Sequence, residues 1–279
     1  MLYRIFKKHK KKNIFTSEIS ELAKSGYTTI CDDSGIEIFG NGIFVRGDAP
    51  DVICAARDVF ATEEYKFNPS GHEYIIFDIG LNVGIASLYF AQQDFIKKVY
   101  GFEPFKPTYA QAERNMLLNP ELSQKIKIFN FGLSDKNTEL ELPYDLNRTG
   151  SMSSMPVSGR RLFSNMEKIN LCRASDILSP IIEKHDLYKI GLKIDCEGAE
   201  IEIIPDLEKS GLLRKIDLII LEYHSDNYNT LINILKDKGF NVTRNHHTGA
   251  QTGIITAAKS IMSIIPKKEK EKFYCFGKF

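Results

Sequence analysis

The chain contains no tryptophan and has almost no charge excess, since 37 lysines and arginines face 36 aspartates and glutamates among its 279 residues. A net charge of +1 gives the chain no overall attraction to nucleic acid, so we expect no nucleic-acid partner. The apolar runs are far shorter than the ~18 residues of a membrane-spanning helix. The basic start is not followed by an apolar segment of signal-peptide type. These absences predict a cytoplasmic protein.

Cysteine is scarce, and its spacing is irregular. The chain has an odd number of cysteines, at Cys31, Cys54, Cys172, Cys196 and Cys275. The Cys-x-x-Cys spacing is missing, which excludes the common zinc-binding and redox motifs built on it. We expect reduced thiols.

One local cluster departs from the even charge balance. Six basic residues crowd the first twelve positions: Arg4, Lys7, Lys8, Lys10, Lys11 and Lys12. Such a cluster can contact the anionic inner face of a membrane, and a peripheral location there is one alternative. A solvated tail is the other. The oligomeric state has no sequence signal.

From position 74 onward, short β-rich runs alternate with stretches of helical spacing. The runs are YIIFDI, VYGFE, IKIFNF, IGLKID, KIDLIILE, FNVTRN and GIITAAK. Nearly all-apolar strands alternating with helices predict an α/β fold whose largely parallel sheet is covered on both faces. The last two runs lack a helix-length link, which predicts an antiparallel final pair. Upstream, IEIFGNGIFVR predicts a hairpin, and residues 50–65 predict a helix.

The segment 74–104 carries the strongest chemical signal. A predicted strand runs into DIGLNVG (residues 78–84) and then into a helical stretch, and small residues let such a turn pass close to a ligand. Gly80 and Gly84 lack the intervening glycine that lets a pyrophosphate approach, so a cofactor without phosphates fits better than a dinucleotide. The next strand ends at Glu103, whose carboxylate can accept hydrogen bonds from both hydroxyls of a ribose.

In this order the motifs resemble the FkbM-type methyltransferases. The similarity covers about residues 48–260 and includes FDIGLNVG, VYGFEPFKPTYAQAERNMLLN, IFNFGLSD, LKIDCEGAEIEII and IILEYH. The resemblance implies the Rossmann-like class I methyltransferase fold, a seven-stranded, mostly parallel sheet with an antiparallel last strand, here with a small N-terminal hairpin and helix added. It also implies S-adenosylmethionine as the cofactor. We therefore predict an N-terminal tail, hairpin and helix over residues 1–70, the methyltransferase domain over 71–260 and a C-terminal tail over 261–279.

Cofactor contacts are carried over from the resemblance position by position. The methionine end is expected beside Asp78 and the backbone near Gly80, and the ribose at Glu103. Asn82 is expected either to steady the turn or to contact the amino-acid group. The adenine is expected beside a turn at Gly132 and Leu133. The full expected set is Asp78, Gly80, Asn82, Gly84, Glu103, Gly132, Leu133 and Ser153.

Two positions depart from the family pattern. Leu81 stands where alanine is usual in the glycine turn, and Ala174-Ser175-Asp176 replaces a typical Thr-Leu-Asp. The first departure can reshape the methionine pocket and favours a rival hypothesis, a non-catalytic methyltransferase-like binding subunit. The second affects a helix start, where Ser175 or Asp176 can act as the cap.

The reaction is expected where the fourth and fifth strands end, because ligands of open α/β sheets lie beyond the carboxyl ends of strands. Asp195, Glu222 and His224 lie there. In one alternative His224 removes the proton of an acceptor hydroxyl, with Asp195 orienting it or acting in its place. In the other, all three bind Mg²⁺ or Mn²⁺. Glu197 and Glu200 are instead expected to interact with the positive N-terminal end of the following helix.

The resemblance implies the acceptor, because the known members of the family methylate hydroxyl groups on sugars and natural products. We expect a methyltransferase acting on a sugar hydroxyl, in a glycan or a nucleotide-linked sugar, for example in surface polysaccharide biosynthesis. Methylation of a non-sugar small-molecule hydroxyl is the alternative.

Overall fold

The computed structural model describes residues 15–145, 165–224, 228–246 and 252–260. A π-helix at Arg57–Ala61 and a 3₁₀-helix at Leu212–Lys215 accompany the regular elements. The helices are α1 (Thr16–Lys24), α2 (Asp51–Ala56), α3 (Ile85–Gln92), α4 (Lys106–Leu118), α5 (Pro120–Ser123), α6 (Ala174–Glu183), α7 (Glu200–Lys209) and α8 (Tyr228–Asp237). The strands are β1 (Thr28–Asp32), β2 (Gly35–Gly40), β3 (Ile43–Gly47), β4 (Tyr74–Ile79), β5 (Ile96–Phe102), β6 (Ile126–Phe129), β7 (Gly132–Ser134), β8 (Thr138–Tyr144), β9 (Asn165–Arg173), β10 (Lys189–Ile194), β11 (Leu218–Tyr223), β12 (Asn241–His246) and β13 (Gly253–Ala258).

The central sheet has seven strands in the order β12-β13-β11-β10-β4-β5-β6. Neighbours from β11 to β6 pair in parallel, whereas β13 is antiparallel to both β11 and β12. The predicted fold class and the antiparallel final pair are confirmed. Both faces are covered, because Ile76 of β4 packs in the core that contains Leu88 of α3, and the next residue, Phe77, packs in the core of α6, α7 and α8.

Strand order places the crevice between β4 and β10. From β4 the chain continues outward through β5 and β6, and it later returns to form β10 and β11 on the other side of β4. Ligands of such sheets bind where the strand order reverses. The turn after β4 touches the end of β10 there, since a Cβ on Gly80 would lie 1.8 Å from the Asp195 carbonyl oxygen.

The N-terminal addition is a three-stranded antiparallel sheet with α1 and α2. The predicted hairpin is present as β2 and β3. The predicted helix over 50–65 is shorter than expected: α2 continues into the π-helix, which ends at Ala61. Glu63 then has a φ of 51°, a left-handed conformation that a helix does not accommodate.

The outer edge of β3 is covered by side-chain amides of α4. Three backbone N–H groups, two residues apart, donate to amide oxygens four residues apart: Phe44 N to Asn119 Oδ1 at 2.9 Å, Arg46 N to Asn115 Oδ1 at 2.8 Å, and Asp48 N to Gln111 Oε1 at 3.1 Å. The spacings match because two strand residues span about 6.7 Å and four helix residues about 6 Å. A row of unpaired edge groups is thereby satisfied.

Three local expectations are corrected. The predicted turn at Gly132 and Leu133 is strand β7, paired in parallel with β9, and the bend precedes it. The start of α6 has no side-chain cap of its own, since Asp206 of α7 accepts the N–H of Ser175 at 2.8 Å. Cys31, Cys172 and Cys196 are free, whereas Cys54 is disulfide-bonded, so the expectation of reduced thiols is wrong at Cys54.

Among the described residues, no helix has the length and apolar character needed to cross a bilayer. The basic cluster at residues 4–12 and the whole C-terminal tail, residues 261–279, lie outside the described residues. The domain boundaries at 70/71 and 260/261 stay predictions.

Asn115→Ala tests the hydrogen bonds between the side-chain amides of α4 and the edge of β3. Asn115 is fully buried and also donates to the Val83 carbonyl at 2.8 Å, so its loss leaves two backbone groups without partners. We expect the free energy of unfolding to fall by about 2–4 kcal/mol in denaturant titrations. Leu117→Ala, at an 81% exposed position of the same helix, is the control. Equal stability of the two variants would contradict the assignment.

Candidate active site

The turn after β4 consists largely of left-handed backbone. Gly80, Asn82 and Gly84 have φ values of 83°, 51° and 90°. A Cβ on Gly84 would lie 2.7 Å from Met116 Cε of α4. Both glycines therefore have a conformational reason and a packing reason within the protein itself, in addition to any approach of a ligand.

Leu81 packs against strand β5. Its side chain is 1% exposed and fills the space left by Gly101 of β5, where a Cβ would lie 2.7 Å from Leu81 Cδ1. The larger residue is accommodated because the neighbouring strand carries a glycine at the point of contact. The departure from the family pattern thus gives no support to a blocked cofactor site.

Glu103 joins the turn to the start of α4. Its Oε2 accepts the N–H of Asn82 and its Oε1 accepts the N–H of Phe105, each at 3.0 Å. Burial raises the pKa of Glu103 to about 7, although those two backbone hydrogen bonds act to lower it. Each carboxylate oxygen keeps a second lone pair. The strand end can therefore accept two hydroxyl donors from a ribose.

Asn82 Oδ1 is a buried acceptor with no hydrogen-bond partner among the described residues. It lies on the residue whose N–H is held by Glu103. A ligand that fits here brings donors, and the ribose hydroxyls and the ammonium group of S-adenosylmethionine are such donors.

Asn130, which sequence reasoning missed, donates to the carbonyls of Glu103 and Pro104 at 3.0 and 3.2 Å and so fixes the strand end.

Asp78 is fully buried. Its Oδ2 accepts the Ser87 hydroxyl at 2.6 Å, and its Oδ1 lies 3.0 Å from Lys193 Nζ. Both oxygens are thus occupied by the protein, and the Asp78 carboxylate acts on the cofactor turn through these neighbours.

The two expected adenine positions offer a ligand less side-chain contact than the ribose position does. Leu133 is 2% exposed, and a Cβ on Gly132 would lie 2.6 Å from Leu171 Cδ2. Contacts with the adenine at these two positions would come from the backbone. Ser153 lies outside the described residues.

Lys193 is the central residue that the sequence reasoning missed. It is 3% exposed, and its Nζ donates to the Gly80 carbonyl at 2.6 Å. Burial opposes its charge, but Asp78 and Asp195 outweigh that effect and raise the pKa of Lys193 to about 12. A signal was available, because a lysine two residues before Asp195 in an apolar strand shares its face.

The predicted reaction residues come together. Ligand atoms of Asp195, Glu222 and His224 all lie within 4.8 Å of one another. His224 Nε2 is 3.6 Å from Glu197 Oε2, and His224 Nδ1 is 3.5 Å from Glu200 Oε1. Burial alone would lower the pKa of His224, but the surrounding carboxylates raise it to about 10. In this arrangement the imidazole is protonated at neutral pH.

Glu200 holds the chain on both sides of this cluster. It is fully buried in the first turn of α7, where its Oε2 accepts the N–H of Gly198 at 2.8 Å and its Oε1 accepts the N–H of His224 at 2.9 Å. The expected placement at the helix start is present. The bond to His224 was not expected and orients that residue.

Comparison with known proteins agrees with this geometry. The family model described as the methyltransferase FkbM domain matches residues 78–242. This range includes the glycine turn, Glu103 and the acidic cluster, which we define as His224 with the carboxylates of Asp195, Glu197, Glu200 and Glu222. The chain belongs to the FkbM methyltransferase family. As a member of this family it is an S-adenosylmethionine-dependent methyltransferase, and Glu103 and Asn82 supply acceptors that suit this cofactor.

Individual relatives are distant. The FkbM-family chain is 26% identical over 233 residues to methyltransferase sdnD of Sordaria araneosa, covering 73% of this chain and 88% of that protein. It is 25% identical over 202 residues to methyltransferase 1 of Beauveria bassiana, covering 67% and 80%. The solved structure of methyltransferase FkbM from Methylobacillus flagellatus matches with a TM-score of 0.43 and 14% identity, over 87% of this chain and 58% of that one.

Glu103→Gln tests the ribose site. The amide retains the volume but loses the charge and one acceptor, so affinity for S-adenosylhomocysteine should fall about 10–100-fold in calorimetry. Glu113→Gln, an exposed change on α4, is the control. Unchanged affinity in Glu103→Gln would refute the assignment.

The pH dependence of binding gives a second test of Glu103. The ionised carboxylate is the better acceptor, and its pKa in the free protein is about 7. Affinity for S-adenosylhomocysteine should therefore rise with pH from about 5.5 and level off above about 8. Glu103→Gln should remove this part of the pH dependence. Identical pH profiles of affinity for the variant and the unchanged protein would contradict the assignment of Glu103.

Proposed function

We propose that this methyltransferase transfers the methyl group of S-adenosylmethionine to a sugar hydroxyl, in a glycan or a nucleotide-linked sugar. The observation that carries the proposal is the convergence of Asp195, Glu222 and His224 at the carboxyl ends of β10 and β11. The glycine turn that borders the cofactor site touches the same strand end. The sugar acceptor rests on the family resemblance.

Hydroxyl methylation sets two requirements for the chain. S-adenosylmethionine supplies an electrophilic methyl group. The acceptor oxygen bonds to the methyl carbon as the carbon–sulfur bond breaks, the bonding electron pair goes to sulfur, and the hydroxyl proton must go to an acceptor. The protein must align the reactants, which can supply about 7 kcal/mol or more, and must assist loss of the proton, worth a factor of about a hundred or more.

Charge at the cluster favours a divalent cation as the assisting group. Four carboxylates surround the single imidazole: those of Asp195, Glu197, Glu200 and Glu222. The carboxylates of this group thus outnumber its imidazole. Carboxylate oxygens suit Mg²⁺ or Mn²⁺, and such a cation would supply Lewis-acid activation of the alcohol. We propose Asp195, Glu222 and His224 as its ligands, with His224 losing its proton when the cation binds.

The metal-free route assigns the proton to Asp195. Because the pKa of His224 is about 10, its imidazole already holds a proton at neutral pH. The Asp195 side chain is 28% exposed and can accept the hydroxyl proton directly, with the charge of His224 nearby.

Mass spectrometry tests the function and the site together. The protein is mixed with S-adenosylmethionine, Mg²⁺ or Mn²⁺, and fractionated glycans and sugar nucleotides, and products heavier by one methyl group are sought. We expect Asp195→Asn and His224→Ala to lose at least about a hundredfold in turnover, with affinity for S-adenosylhomocysteine kept within about threefold. Asp94→Asn and His72→Ala, both exposed, are matched controls.

Each part of the proposal has its own contrary outcome. Full turnover in both Asp195→Asn and His224→Ala would refute the site. Full turnover after exhaustive chelation would exclude the cation and leave the Asp195 route. Methylation confined to non-sugar hydroxyls would refute the sugar acceptor.

A further inference from the structure

We infer that Tyr65 and Lys193 are positioning residues that fix the Asp195 carboxylate relative to the cofactor turn. The inference rests on the proposed role of Asp195 in the reaction. It brings into the site a tyrosine from the segment between the π-helix and β4, outside the residues matched by the family model.

Tyr65 bonds to Asp195 across a long stretch of chain. Its hydroxyl donates to Asp195 Oδ2 at 3.1 Å, and the residue is 4% exposed. Because its partner is a carboxylate oxygen, which accepts hydrogen bonds, the phenol hydroxyl is the donor. The Lys193 ammonium lies 5.6 Å from the centre of the Tyr65 ring, within the range of a cation–π interaction.

Lys193 reaches the same oxygen from the sheet. Its Nζ is 3.7 Å from Asp195 Oδ2, and the same ammonium also contacts the Gly80 carbonyl and Asp78. Both approaches fall on Oδ2, so Oδ1 is the oxygen left for an acceptor hydroxyl or a cation. The two residues thereby select which Asp195 oxygen takes part in the reaction.

The backbone makes the cofactor turn and Asp195 one unit. Asp195 N donates to the Ile79 carbonyl at 3.0 Å, next to the turn. The Gly80 carbonyl is held by Lys193, and Gly80 itself has no room for a Cβ beside the Asp195 carbonyl. Lys193 thus sets the distance from the turn after β4 to the Asp195 carboxylate, and Tyr65 further restricts the position of that carboxylate. Small errors in such alignment cost large factors in rate.

Tyr65→Phe is the decisive variant, because it removes one hydroxyl and keeps the ring under Lys193. Removing a partner that orients a ligating carboxylate lowers metal affinity or activity about 10–100-fold. We expect the Kd for Mn²⁺, measured by electron paramagnetic resonance, to rise by that factor. We expect kcat, measured with the glycan fraction that the protein methylates, to fall by the same factor. The Kd for S-adenosylhomocysteine should stay within about twofold. Tyr100→Phe loses a comparable hydrogen bond, to His185 at 2.8 Å, and is the control.

The outcomes separate this inference from the proposed function. If Tyr65→Phe matches Tyr100→Phe in both Mn²⁺ affinity and kcat while Asp195→Asn is inactive, the positioning role is wrong. If Tyr65→Phe weakens S-adenosylhomocysteine binding as much as it lowers kcat, the tyrosine supports the cofactor site generally and the inference also fails. If Asp195→Asn keeps full turnover, the proposed function fails, and the inference falls with it.

Discussion

A buried ammonium group organises the centre of this methyltransferase. Lys193 points from β10 into a space where an unpaired charge would be very costly, and the fully buried Asp78 compensates it. Neither residue would be tolerated there alone. The same ammonium also donates a hydrogen bond to the Gly80 carbonyl, and this bond ties the pair to the left-handed turn after β4. The switch point between β4 and β10 is therefore held by electrostatics as well as by strand pairing.

The two halves of the crevice differ in how burial and charge act on their titratable groups. At the cofactor end, burial dominates and raises the pKa of Glu103 to about 7, in a place where donors are expected from the ligand. At the reaction end, neighbouring carboxylates outweigh burial and raise the pKa of His224 to about 10. The first environment suits hydroxyl and ammonium donors. In the second, several carboxylates surround a single imidazole.

The N-terminal addition is integrated with the domain that it precedes. Its edge strand β3 is bonded to the amides of α4, and one of them, Asn115, also holds the Val83 carbonyl of the glycine turn. Further along the chain, Tyr65 reaches Asp195. The N-terminal addition is thus linked to the glycine turn through Asn115 of α4, and it contacts Asp195 directly through Tyr65.

By itself the sequence determined the α/β class, the antiparallel end of the sheet, the glycine turn with Glu103, and the meeting of Asp195, Glu222 and His224. These follow from local periodicity and from the rule that parallel strands present their carboxyl ends at one edge. Tertiary structure alone decided that Leu81 rests on Gly101, that Asp206 receives the start of α6, and that Gly132 begins a strand. It also decided the partners of Tyr65 and Lys193. Those outcomes depend on contacts between residues far apart in the chain, whose distances and burial no local pattern encodes.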